Sequence, residues 1–178
     1  MNCCEKSEPD KNKKTKKLVN DDATSAVHSP YAGQEVRNIK ALSLDEVKKL
    51  LAGSGTPFGG MAKAAELNSY PGPLHVLDAY EAGELELTDQ QLQEVKAAYD
   101  EMHSLAIKLG KQLINAEKEI DNSFANKKIT EKFLRDKVSE SADLYGQLRT
   151  AHLKAHLSMV DILTPQQINL YNKLRGYT

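Results

Sequence analysis

His152 and His156 stand four residues apart, a spacing that on a helix places both imidazoles on one face about one turn from each other, with Met159 three residues further on. Two histidines so arranged can chelate Zn, Cu, Ni or Co, and a third donor from a neighbouring helix would complete a useful site. His75 is the natural third ligand, and Met159 would add a soft sulfur donor. His103 and Glu101 fall near the same level if the two long helices described below fold back on each other around Asn126. The bland alternative stays open, because His152 also lies on an apolar stripe where a hydrogen-bonded core or interface histidine is an ordinary occupant.

Enzymatic chemistry has little to stand on. The sequence contains no Gly-x-Ser-x-Gly, His-Glu-x-x-His or dinucleotide-binding fingerprint. Glu117, Glu119 and Asp121 gather carboxylates on one helix, but acid–base pairs work in clefts, and a solvated acidic face is the commoner case. The expectation is a protein that acts by binding and is not an enzyme.

The elements that must position the histidines are helices. With no Trp and three Phe, the core has to come from Leu, Ile, Val, Ala, Met and Tyr, which suits long packed helices. Leu92, Val95, Tyr99, Met102, Ala106, Leu109, Leu113, Ala116 and Ile120 recur at alternating steps of three and four. So do Leu134, Val138, Ser141, Tyr145, Leu148, His152, Ala155, Met159 and Ile162, after a polar turn at Asn126-Lys127-Lys128. These stripes predict two long helices joined as an antiparallel hairpin. Shorter helices flank it: one after Ser43, one or two turns over Met61–Leu67, one opening at Pro73 and one at Pro165. The fold class expected is therefore all-α.

Residues 1–33 are poor in apolar side chains and read as a polar tether without the means to offset the entropy of ordering. Residues 34–72 read as a short helix followed by a Gly/Pro-rich linker, and 73–178 as the hairpin domain. A net charge of −1 gives no field to attract nucleic acid or an anionic membrane. No apolar run is long enough to span a bilayer. Cys3-Cys4 ahead of the polar stretch Glu5–Lys17 has the form of a mature lipoprotein start with Cys3 lipidated, which is the one expected route to a membrane; two incidental cysteines are the other reading.

One phrase occurs twice. Leu87-Thr88-Asp89-Gln90-Gln91 opens the first long helix and Leu163-Thr164-Pro165-Gln166-Gln167 follows the second, and each has the Thr-x-x-Gln form of a capping box. An antiparallel hairpin brings both phrases to one end. Two copies of Leu-Thr-x-x-Gln bracketing a helical hairpin resemble the LTxxQ family of periplasmic stress proteins, the Spy/CpxP type, with its metal-responsive relatives ZraP and CnrX. The resemblance runs from about Leu74 to Leu174. It implies a four-helix hooked hairpin that forms a homodimer in the periplasm without ATP. The function it implies, with the histidine pair, is a metal sensor or accessory protein that reports to an envelope signalling partner; the alternative is a holdase chaperone for unfolded client proteins. By position, the metal-ligand role of the relatives carries over to His75, His152 and His156, with Met159 as a soft fourth.

Overall fold

A computed structural model describes residues 29–55 and 60–177, and within them the chain is all-helical. The helices are α1 (Leu44–Leu51), α2 (Lys63–Glu66), α3 (Pro73–Glu81), α4 (Asp89–Ala125), α5 (Glu131–Ile162) and α6 (Pro165–Leu174). Residues 29–35 form turns closed by Ala32 N–H to Ser29 O and Gln34 N–H to Tyr31 O. Val36–Thr178 is one compact unit, so α1 and α2, in the segment read from sequence as helix and linker, belong with the hairpin. Cys3 and the rest of residues 1–28 lie outside the described residues.

Three helices start with a complete capping box: Ser43 with Glu46, Thr88 with Gln91, and Thr164 with Gln167. In each, the hydroxyl accepts from the third backbone N–H while the longer side chain accepts the cap's own N–H, so two otherwise orphaned donors are satisfied together. α4 stops at Asn126 because Lys127 turns into the left-handed region at φ 56°. There, Lys127 N–H reaches Phe124 O and Lys128 N–H reaches Ser123 O, the paired bonds of a Schellman end. Thr130 then caps α5 by accepting from Phe133 N–H. A short turn between two long amphipathic helices sends α5 back along α4. Its antiparallel register is marked by Glu117 with Ser141, Glu101 with Lys154 and Gln91 with Ile162.

The seam between α4 and α5 is filled in two places. Towards the middle, Leu109, Leu113, Ala116, Leu144 and Leu148 pack with Leu50 of α1 and with Met61. α1 can sit this low because α4 has Gly110 beneath it; a Cβ there would overlap the Leu50 carbonyl. At the end bearing the repeated phrases, Val76, Leu77, Leu85, Val95, Met159, Leu163 and Tyr171 close a second cluster from α3, α4, α5 and α6. Each fully buried Leu, Val or Met contributes about 1.5–3 kcal/mol relative to exposure.

Candidate functional site

The two Leu-Thr-x-x-Gln phrases meet. The Gln91 amide donates to Gln167 Oε1 at 2.9 Å and the Gln167 amide donates to Gln91 Oε1 at 3.0 Å. The second proton of each amide goes to a backbone carbonyl two residues before the other phrase's capping Thr: Gln91 to Ile162 O at 2.9 Å, and Gln167 to Glu86 O at 2.8 Å. Leu87 and Leu163, the leading residues of the phrases, pack on the neighbouring apolar cluster. Thr88, Gln91, Thr164 and Gln167 thus form a locally two-fold arrangement in which each glutamine serves its own helix start and the other's at once. Its amides have no spare polar atoms pointing outward, so its chemistry is structural.

The histidines are brought together one level further along the hairpin. His75 from the first turn of α3, His103 from α4, and His152 and His156 from α5 all line one cleft of about 310 Å³, along with Ala52–Ser54, Gly72, Leu74, Tyr99 and Met102. That gathers four of the five histidines of the chain. Each of the four has one ring nitrogen engaged. His152 Nδ1 lies 2.9 Å from Leu148 O, His156 Nδ1 2.7 Å from Tyr70 O, His103 Nε2 2.9 Å from Ala52 O, and His75 Nδ1 3.3 Å from Asp78 Oδ2. Carbonyl and carboxylate oxygens only accept, so these ring nitrogens carry the protons, and in the neutral rings the lone pairs belong to Nε2 of His75, His152 and His156 and to Nδ1 of His103. Fixing the tautomer through the far nitrogen is how metal-ligating histidines are ordinarily prepared.

Burial adds to this. It pushes the His156 pKa below the ordinary histidine value, against the opposing pull of the Tyr70 carbonyl and the Glu66 carboxylate, so the ring is uncharged at neutral pH and its lone pair is available. Glycine makes room for the cleft wall. A Cβ on Gly53 would come within 2.6 Å of the His103 ring, and one on Gly72 within 3.0 Å of the His156 ring. His103 also stacks on Tyr99, with ring centroids 5.2 Å apart.

Ligation is not preformed. Among the described residues no three His, Cys, Asp or Glu side chains stand close enough to hold a metal ion. The rings have suitable tautomers and a common cleft, but holding an ion would require them to close in; His75 is half-exposed on a short helix.

Met159 is placed elsewhere than the spacing suggested. It is fully buried against Val76, Leu77, Leu163 and Tyr171, outside the cleft. The stripe position that makes it look like a continuation of the histidine pair turns it into the seam where α3 and α6 close over α5. Met102 is the thioether that lines the cleft. His103 is the histidine that spacing along α5 does not reveal; the register does, since the Glu101–Lys154 pair at 3.3 Å sets His103 at the level of His152.

Comparison with protein-family models, with curated proteins and with solved structures finds no match. Among the described residues, no helix is long and apolar enough to cross a membrane.

Proposed function

We propose that this protein binds a transition-metal ion in the histidine cleft and works as a non-enzymatic metal sensor or accessory protein. The observation that carries the reading is the convergence of His75, His103, His152 and His156 on one cleft, each with one ring nitrogen tied to an oxygen and the other left to donate. Imidazole nitrogen with a nearby thioether suits Zn, Cu, Ni or Co and is a poor match for Ca or Mg, which take oxygen ligands. His152 and His156 would hold the ion from α5, and His75 and His103 would come in from α3 and α4. A site whose ligands belong to three helices has different metal affinity before and after they close, the requirement for an ion to shift a conformational equilibrium.

The setting proposed with this function is the periplasm, in a Spy/CpxP-type LTxxQ protein with the hooked four-helix hairpin, acting as a homodimer and reporting to an envelope signalling partner. Supporting it are the two phrases at the end of the hairpin away from its turn and the reciprocal glutamine pair they build.

Equilibrium dialysis of the chain against Zn²⁺, Cu²⁺, Ni²⁺ and Co²⁺, beside a His152→Ala/His156→Ala variant, tests the reading. Binding at micromolar or lower concentration that the variant loses is the expected result. No binding, or binding that survives the double substitution, overturns it.

The second reading, an ATP-independent holdase, is favoured by a different region. An open groove of about 520 Å³ near the hairpin turn is lined by Leu42, Leu113, Ile120, Val138 and Tyr145, a surface suited to apolar segments of unfolded clients. Suppression of aggregation of an unrelated unfolding protein would support it.

A further inference from the structure

Behind the histidine cleft, three helices meet on one carboxylate. Glu66, the last residue of α2, has a side chain only 13 % exposed. Its Oε1 accepts from Tyr171 Oη at 2.7 Å, Tyr177 Oη at 3.2 Å and Arg175 Nε at 3.3 Å, all from α6 or the residues after it. Tyr171, itself 1 % exposed, accepts in turn from Gly72 N–H at 3.2 Å, and Gly72 is the N-cap of the helix that carries His75. Asn172 adds a bond to Ser69 Oγ at 2.9 Å, where the backbone takes a left-handed conformation at φ 65°. The 69–72 turn, the start of α3 and the C-terminal segment are therefore held as one network.

The other carboxylate oxygen is the anomaly. Glu66 Oε2 is buried without a hydrogen-bond partner among the described residues, and His156 Nδ1 lies 3.6 Å from it. A buried acceptor left unpaired is costly, the more so when it is charged. A cation on His156 Nε2 would change this. Coordination would place positive charge on the His156 ring beside Oε2 while Nδ1–H stays with the Tyr70 carbonyl, so the charge attraction between imidazole and carboxylate strengthens only when the cleft is loaded.

We propose that Glu66 is the positioning residue of the histidine cleft and transmits its occupancy to the C-terminal segment 171–177. This rests on the metal-binding reading. The loaded cleft stabilises the Glu66 carboxylate in its present place, and the carboxylate is where Tyr171, Arg175 and Tyr177 are anchored. Linkage makes the effect reciprocal: whatever loosens the C-terminal segment weakens metal binding by the same factor by which metal tightens the segment.

The test is hydrogen–deuterium exchange of the full chain with and without Zn²⁺, read over residues 165–177, together with the Co²⁺ visible spectrum, for the native chain, Glu66→Gln and Tyr177→Phe. In the native chain Zn²⁺ should slow exchange of the segment by about fivefold or more, the lower end of ordinary coupling between sites. Glu66→Gln should bind Zn²⁺ about 10–100-fold more weakly, with an altered Co²⁺ spectrum and without the protection. Tyr177→Phe, which removes one peripheral donor and is expected to fold normally, should keep a reduced protection, and it decides the matter if Glu66→Gln does not fold. Zn²⁺ binding with no change in exchange over 165–177 overturns the coupling while leaving the cleft reading intact. Protection that is full in both variants overturns the role of Glu66. Absence of Zn²⁺ binding by the native chain removes both readings together.

Discussion

The two ends of the hairpin are built on different principles. At the phrase-bearing end, α3 and α6 close over α4 and α5, apolar residues are buried from four helices, and the polar groups are tied across the fold by the glutamine pair and by Glu66. At the turn end, α4 and α5 have far less over them. Val138 is 51 % exposed and Phe124 49 % although both are apolar. The charged pairs there, Lys132–Asp136, Arg135–Glu131 and Lys137 with Glu119 and Glu140, include neighbours one turn apart and lie at the surface. The same repeat of apolar positions runs through both ends. Burial therefore depends on what the short helices cover, and the end with many long-range bonds is where a binding site can be held in a defined shape.

The largest test of the contrast is Met159→Ala. It deletes a fully buried side chain from the closed end and should cost about 2–5 kcal/mol in urea unfolding, whereas Val138→Ala on the exposed part of the same helix should cost far less. Comparable losses at the two positions would show that the turn end is covered in solution. Next come Gln91→Ala and Gln167→Ala, each of which removes part of a capping box and leaves a partner amide and a carbonyl short of a bond. Each should cost about 1–3 kcal/mol. The double variant should cost less than the two together, by a coupling energy of about 0.5–3 kcal/mol; strict additivity would mean that the reciprocal amide pair contributes nothing of its own. The smallest effect belongs to Lys132→Ala, an exposed one-turn ion pair, where the midpoint of thermal unfolding should stay where it is in the native chain. A shift would mark an unrecognised contact at the turn end.

Much of the architecture was legible locally. The stripes locate α4 and α5, and the three capping boxes and Pro73 locate the starts of α1, α4, α6 and α3, because cap and stripe are both short-range physics. The site was legible only in part. The pairing of His152 with His156 follows from helical spacing, and the arrival of His75 from the order of elements. His103 needed the register of the seam, and Met159 was drawn inward by a stripe position that spacing alone does not distinguish from a ligand position. Glu66 had no local mark at all: it meets Tyr171 across 105 residues of chain, and nothing near it in sequence separates it from any other surface glutamate.

The crossed amides of Gln91 and Gln167 also constrain how this molecule can move. A hairpin fastened by a covalent turn at one end and by side-chain bonds at the other has a fixed register. Sliding α4 past α5 by one helical turn, about 5.4 Å, would break all four of those bonds together. A piston stroke along the bundle axis is thereby disfavoured.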